Sequence, residues 1–314
     1  MRNRRRFLLT ASVTLAAVAL GTILLGSRLV PVLVSEEAPG LAASPVQEKA
    51  YRRIVSLSPS ITESLFALGL GDRVVGVTSF CDYPPEALAK SKVGGYYDLN
   101  YEAIVALEPD LVVCLPEHEG RLADLDRLNL PHLTVDHRRV ETILESLATL
   151  GRVCGASERA RELVQGIRGR IAAVDSRVID GARPRVLLSV GRNTGSAAID
   201  DVYIAGRGGF YDEMIVLAGG INAYQDTLAF PVVTGEGLLR LQPDVIIDMV
   251  PDVQEKGLSE ADVLKQWSVL ADLPAVRQGR VFLFTEDFVV VPGPRFIRIL
   301  EKMAAAIHPE GAKR

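Results

Sequence analysis

The sequence has few of the residues from which covalent cross-links and metal sites are built. Its 314 residues include only three cysteines and four histidines. Cys81, Cys114 and Cys154 show no Cys-x-x-Cys spacing, and an odd count leaves at least one thiol without a partner in the chain. The composition therefore disfavours a disulfide scaffold, a cysteine-ligated zinc site and a metal site made of several imidazoles.

The chain also lacks the short motifs of common enzyme classes. It contains no Gly-x-x-x-x-Gly-Lys-Ser/Thr loop, no Gly-x-Ser-x-Gly elbow and no His-Glu-x-x-His pair. We therefore expect no catalytic residues and no resident cofactor. The rival hypothesis is an exported α/β enzyme that acts on a small molecule through Asp136 and His137 or through Cys81 and Asp82, although the Asp136-His137 pair is more typical of a surface turn.

The body of the chain has no excess of positive charge. Residues 45–314 hold 30 basic and 37 acidic residues, a net charge of −7. An acidic surface of this kind repels a phosphate backbone, which excludes nucleic acid as the expected partner.

The amino-terminal 34 residues predict an export signal or a membrane anchor. Four arginines between Arg2 and Arg6 precede a nearly uncharged run from Phe7 to Ser27. Asn3–Leu9 is similar to a twin-arginine signal, and a Sec signal is the alternative. Residues 35–50, rich in Ala, Pro, Glu and Ser, predict a flexible tether, so we expect a periplasmic or cell-surface location.

From residue 51 onwards, short β-prone runs alternate with amphipathic helical segments. This alternation predicts parallel sheets with helices on both faces, in lobes spanning residues 51–155 and 181–314. Ser60 followed by Glu63 has the spacing of a capping box. Between the lobes, apolar residues recur at helical spacing without proline, which predicts one long linking helix over residues 156–180.

A weak internal repeat relates the two lobes. Asn100–Val113 aligns without gaps on Thr234–Ile247, and the repeat pairs Glu102 with Glu236. Acidic residues in the first turn of a helix are commonly there for the helix dipole. Matched carboxylates on two similar lobes also suit a partner that is itself a symmetric dimer presenting cations.

Several aromatic and charged residues lie in predicted strand-to-helix loops, where α/β proteins commonly bind ligands. Each aromatic ring could equally cap the core beneath its loop. An arginine at the end of a predicted strand could bind a carboxylate or form a surface salt bridge, and a glycine-rich turn at residues 206–209 could receive an anion or serve as a plain turn. The candidate ligand contacts are Phe80, Tyr96, Tyr97, Arg192, Phe230 and Asp287.

The chain resembles the periplasmic solute-binding proteins of iron-siderophore and cobalamin ABC importers from about Arg53 to His308. The resemblance rests on motifs such as RIVSLSPSITESLFALGLGDRVVGVT from Arg53, CDYPPEA from Cys81 and KVGGYYDLNYEAIVALEPDLVV from Lys92. It also includes AGRGGFYDEMIVLAGGINA from Ala205 and LPAVRQGRVFLF from Leu273. This resemblance implies a class III substrate-binding protein, with two Rossmann-like lobes joined by a single long α-helix.

The resemblance also implies functional roles for individual residues. Glu102 and Glu236 match the glutamates that dock such proteins on arginines of a permease dimer, which works with ATPase subunits. Phe80, Tyr96, Phe230 and Asp287 match positions that line the ligand cleft in cobalamin-binding members. The implied ligand is a cobalamin or a ferric siderophore, with haem as a further alternative, and membrane contact is expected through the permease or the amino-terminal segment. The alternative outside this class is the exported enzyme or a tethered interaction domain without a small ligand.

Overall fold

The computed structural model describes residues 51–176, 183–196 and 198–309. The predicted export segment and tether lie outside these residues. Within the described residues, no helix combines the length and apolar character that a membrane span needs. The described chain belongs to one compact unit that contains two β-sheets.

The amino-terminal lobe is built on a five-stranded parallel sheet in the order β3-β2-β1-β4-β5. The central strands are buried along their whole length, which explains their valine- and leucine-rich sequences. The elements are β1 (Ile54–Ser56), α1 (Pro59–Ala67), β2 (Val74–Val77), β3 (Ser91–Lys92), α2 (Tyr101–Ala106), β4 (Leu111–Cys114), α3 (Glu119–Arg127), β5 (His132–Thr134) and α4 (Val140–Val153).

The carboxyl-terminal lobe follows α5 (Ser157–Asp175) and contains a mixed six-stranded sheet. Its main path runs β11-β10-β6-β7-β9, and β8 pairs with β6. The prediction of parallel sheets is wrong for β7, which runs antiparallel to both β6 and β9. The elements are β6 (Arg185–Gly191), β7 (Val202–Ile204), α6 (Phe210–Leu217), β8 (Ile221–Asn222), β9 (Val232–Val233), α7 (Gly235–Leu241), β10 (Val245–Met249), α8 (Glu260–Gln266), α9 (Pro274–Arg277), β11 (Val281–Phe284) and α10 (Phe296–Ile307).

Helix α5 links the lobes and packs between them. Its 19 residues extend about 28 Å at 1.5 Å per residue. Ile167 and Val174 on this helix join a continuous apolar core that also includes buried residues of α4, α6 and α10. The predicted residues 177–180 of the linking helix lie outside the described residues. The two lobes are therefore fastened along the α5 side by shared hydrophobic packing as well as by the chain itself.

The start of α1 differs from the predicted capping box. Pro59 takes the first helical position and Ser58 becomes the N-cap residue, without a side-chain cap. Ser60 and Glu63 consequently lie inside the helix, where both are buried. Their side chains contact residues far away in the sequence, a role that local spacing could not indicate.

The internal repeat appears in the structure as two equivalent sets of hydrogen bonds, one in each lobe. Ahead of β1, the backbone N–H of Arg53 donates to Asp110, and the Arg53 guanidinium donates to the carbonyl of Leu107 at the end of α2. At the first residue of β6, the N–H of Arg185 donates to Asp244, and its guanidinium donates to a carbonyl at the end of α7. Each Pro-Asp turn therefore ties a helix end to the start of the neighbouring strand.

The helices that carry Glu102 and Glu236 begin with equivalent caps. Asn100 accepts a hydrogen bond from the N–H of Ala103, and Thr234 accepts one from the N–H of Gly237. In each case, the glutamate is the second residue of its helix. The aligned segments therefore share a helix start as well as a turn.

Candidate ligand site

A cavity of about 800 Å³ opens between the two lobes. Its amino-terminal wall comes from the segment after β3 and from the turn between β5 and α4. Its carboxyl-terminal wall comes from the glycine-rich turn before α6 and from the segment before β9. The principal lining residues are Tyr96, Leu115, Glu117, Asp136, His137, Arg138, Arg139, Val190, Arg207, Phe210, Tyr211 and Phe230. A volume of this size suits an organic ligand, not a bare ion.

Two of the predicted aromatic contacts lie on opposite walls of the cavity. Tyr96 is partly buried and packs on His118, with ring centroids 4.8 Å apart. Burial raises the pKa of the Tyr96 phenol, so it remains protonated at neutral pH. Phe230 is 56% exposed and faces Tyr211 edge-on. Together, Tyr96 and Phe230 offer two aromatic surfaces to a ligand held between the lobes.

Two other predicted aromatic contacts lie outside the cavity lining. Phe80 is 62% exposed on the loop after β2. Tyr97 is 57% exposed, packs edge-on against Tyr96 and is approached by the Arg121 guanidinium at 5.8 Å. Ligand contact by Phe80 and Tyr97 therefore stays a prediction, while the position of Tyr97 indicates a role in supporting the Tyr96 ring.

The structure places Arg192 away from the cavity lining, in a buried network of the carboxyl-terminal lobe. Its Nε donates to Asp248 at 2.8 Å, and its other nitrogens donate to Gln266 and to the carbonyl of Val263. The guanidinium also lies 5.3 Å from the centre of the Trp267 ring. Because all three nitrogens are engaged within the lobe, Arg192 is not available to bind a ligand in the cavity.

Asp287 forms part of a cluster that connects the lobes. It accepts from Arg295 at 2.7 Å, and the same guanidinium donates two hydrogen bonds to Glu63 of α1, at 2.6 and 2.9 Å. The ring of Tyr83 stacks 3.6 Å from the Arg295 guanidinium. Since Asp287 is not among the cavity-lining residues, its position supports a contact between lobes more directly than a contact with ligand.

A second polar contact joins the lobes beside the cavity. The carboxylate of Glu213 on α6 accepts a hydrogen bond from the N–H of Val140, at the start of α4, at 2.9 Å. A carboxylate is stabilised at a helix amino terminus by the free N–H groups and the helix dipole. Sequence reasoning did not pair Glu63 with Arg295, or Glu213 with the start of α4, since the two partners of each contact lie in different lobes.

His137 is a buried wall residue of the cavity, which corrects the interpretation of Asp136-His137 as a surface turn. Its Nδ1 lies 2.8 Å from the hydroxyl of Ser60, while its Nε2 has no hydrogen-bond partner. Desolvation lowers the pKa of His137 to about 4, and nearby Asp136 offsets only part of this effect. The imidazole is therefore neutral at physiological pH.

Replacing His137 with glutamine is expected to reduce the loss of stability in acid. An unfolded histidine titrates near pH 6.5, so between pH 6.5 and 4 the unfolded chain binds the proton first and the folded state loses about 3 kcal/mol. Urea unfolding of the wild type and His137→Gln at pH 7 and pH 4.5 measures the difference. Parallel profiles for the wild type and His137→Gln would contradict the expectation.

The alternative catalytic pair is poorly suited to nucleophilic chemistry. The Cys81 thiol is buried, contacts the hydroxyls of Thr62 and Thr78, and has a raised pKa because of desolvation. All three cysteines are free and buried. Among the described residues, no group of three or more His, Cys, Asp or Glu side chains could hold a metal ion.

Glu102 and Glu236 are both exposed, outside the cavity lining. Glu236 makes a solvent-exposed contact with Arg240 one turn along α7, an interaction that contributes little to stability. Their side chains are available to a macromolecular partner without disturbing the cavity.

The chain matches the periplasmic binding protein family over residues 54–288. It belongs to this family. Family membership accounts for the two-lobed α/β architecture with a cavity between the lobes.

Within the periplasmic binding protein family, similar proteins bind different chelates. The chain is 31% identical over 274 residues to an uncharacterized ABC transporter substrate-binding lipoprotein of Bacillus subtilis, covering 85% of this chain and 83% of the relative. It is 32% identical to a cobalamin-binding protein of Halobacterium salinarum, covering 82% and 69% of the two chains. The structure of a periplasmic haem-binding protein from Roseiflexus superposes with a TM-score of 0.69 at 30% identity, covering 83% and 99%.

Proposed function

We propose that this protein captures a metal chelate outside the cytoplasm and delivers it to the permease of an ABC importer. The observation that carries the proposal is the cavity of about 800 Å³ between the lobes, with Tyr96 on one wall and Phe230 on the other. Planar or apolar parts of a chelate would pack on these rings, and the chelator would supply the metal ligands.

Family membership and the relatives support this proposal over an enzyme. The relatives named above are binding proteins or a transporter's substrate-binding lipoprotein. The residues of the rival catalytic pairs are in unsuitable states: the Cys81 thiol has a raised pKa, and the His137 imidazole is too weak a base at neutral pH. Binding and release without turnover require neither a nucleophile nor a general base.

Delivery is proposed to depend on Glu102 and Glu236. Both are exposed in the first turn of helices that begin with equivalent caps, and both lie outside the cavity lining. We propose that they contact cations on two related permease subunits, which work with the ATPase subunits of the importer.

Isolation of the protein with its native ligand tests the proposal. The full chain is purified from the cell envelope without refolding, and its absorption spectrum and the mass of the bound molecule are recorded. We expect a coloured metal chelate at up to one molecule per chain, and corrinoid, haem and catecholate complexes differ in colour. An isolated protein that carries no chelate, and whose melting temperature no chelate of these three classes raises, would contradict the proposal.

A further inference from the structure

The cavity has an excess of positive charge in a protein whose body is acidic. Its wall carries Arg138, Arg139 and Arg207 against the carboxylates of Glu117 and Asp136. His137 adds no charge at neutral pH because its pKa lies near 4. Residues 45–314 as a whole carry a net charge of −7. The local excess is therefore opposite in sign to the charge of the surrounding protein.

The three cavity arginines differ in how fully they are paired. Arg138 donates to both carboxylate oxygens of Asp136, at 3.0 and 2.7 Å. Among the described residues, the Arg139 guanidinium has one acidic neighbour, Glu213 at 4.0 Å, whose carboxylate already accepts from the N–H of Val140. Arg139 therefore keeps most of its hydrogen-bonding capacity for a ligand.

Arg207 has still less contact with negative charge, and it lies on the opposite lobe. Its backbone N–H donates to the carbonyl of Asp226, and within the described part of the chain its guanidinium makes one hydrogen bond, a 3.3 Å contact with the carbonyl of Gln225. The acidic residue nearest in sequence, Asp212, is engaged by the N–H of Gly208 and by the amide of Asn222. Five N–H donors on a guanidinium leave ample capacity for an anion.

The turn that carries Arg207 has a fixed shape. A Cβ at Gly206 would lie 1.6 Å from the carbonyl oxygen of Leu228, and Gly208 has a φ of +79°. The N–H of Gly206 also donates to the carbonyl of Ala229 at 2.8 Å. The backbone around Arg207 is thus held against the segment that leads to Phe230, with the guanidinium at the cavity wall.

We infer that Arg139 and Arg207, one from each lobe, bind negatively charged oxygen groups on the edge of the chelate, and that the ligand is therefore an anionic chelate. This inference rests on the proposed function. Carboxylate and catecholate oxygens accept paired hydrogen bonds from guanidinium groups. A neutral chelate filling the same cavity would cover two guanidinium groups without supplying counter-charges, which is unfavourable.

Matched ligands that differ in charge test the inference with the full-length protein. Haemin and a ferric tris-catecholate are the anionic probes. Haemin dimethyl ester lacks the carboxylates of haemin, and cyanocobalamin is neutral overall because the charge of its one phosphodiester is balanced at the metal. Dissociation constants are measured by absorption or fluorescence titration for the wild type, Arg139→Gln, Arg207→Gln and the double variant. We expect each single substitution to weaken the binding of an anionic probe about tenfold and the double substitution about a hundredfold.

The control is Arg277→Gln, which makes the same change at an exposed residue of α9 outside the cavity. It should bind every probe like the wild type. Haemin dimethyl ester should bind the wild type more weakly than haemin and should be insensitive to all the substitutions. Higher ionic strength should weaken haemin binding to the wild type, because charged contacts near the surface are screened by salt. Thermal melting of each variant confirms that it is folded.

The outcomes separate this inference from the proposed function. If cyanocobalamin or the ester binds the wild type at least as tightly as the anionic probes, or if the arginine variants bind the anionic probes like the wild type, the inference is wrong while chelate capture stands. If no probe of either charge class binds, both the inference and the proposed function are overturned.

Discussion

Reversing the charge of both Glu102 and Glu236 to lysine is expected to reduce uptake of the chelate to background while leaving its affinity for the purified protein within about twofold. Both side chains are exposed, and neither lines the cavity. Lysines at these positions would place like charges against the proposed cationic sites of the permease. Uptake by cells and binding by the purified variant are the two measurements.

The matched control reverses Glu119 and Glu260, which lie in the first turns of α3 and α8. The net charge changes equally in both double variants. The cost to each helix is also similar, at roughly 0.3 to 1 kcal/mol per residue from the helix dipole. The control should support normal uptake. Full uptake by the Glu102 and Glu236 double variant, or a strong loss of its chelate affinity, would contradict the docking role.

Replacing Arg295 with methionine is expected to lower the free energy of unfolding by about 3 to 5 kcal/mol at pH 8, because it leaves the buried carboxylate of Glu63 without its partner. The Glu63 side chain is 2% exposed, and Arg295 donates to both of its oxygens. The substitution also removes the contact with Asp287 and the stacking on Tyr83.

The pH dependence of the stability of Arg295→Met tests whether the unpaired Glu63 carboxylate causes the loss. Burial raises the pKa of Glu63, and in the wild type the Arg295 guanidinium opposes that effect. Without Arg295, the folded protein binds a proton at Glu63 more tightly than the unfolded chain does, so stability is regained as the pH falls towards the unfolded value. Urea unfolding at pH 8 and pH 5 measures the change.

The double variant Glu63→Gln, Arg295→Met provides the control. Without a carboxylate to leave unpaired, it should lose less stability than Arg295→Met at pH 8 and should lack the recovery at pH 5. A single variant that loses less than about 1 kcal/mol, or that loses the same amount at both pH values, would show that the buried pair does not have this role.

The elements that follow local rules were predictable from the sequence. The sequence predicts short β-prone runs from residue 51 onwards, and the apolar strands β4 and β6 follow that pattern. The repeat reproduces equivalent helix caps and Pro-Asp turns in both lobes. Periodicity, proline positions and short-range hydrogen bonding fix these features within a few residues of chain.

The features that local rules missed depend on distant partners. Glu63 has capping-box spacing from Ser60, yet its partner Arg295 is 232 positions away. Arg192 follows a strand as a ligand-binding arginine would, but Asp248 and Gln266 engage it inside the lobe. The Asp136-His137 pair at the end of a strand is typical of a surface turn, yet His137 is buried and contacts Ser60 of α1.

The shared apolar core along α5 and the contact between Glu63 and Arg295 limit how far the two lobes can move relative to each other. Because the halves are fastened together, we expect empty and loaded molecules to present almost the same outline to the importer. Empty molecules would then compete with loaded ones for the same docking site on the permease. The rate of import would therefore depend on the ratio of binding protein to chelate, and an excess of empty binding protein would lower it.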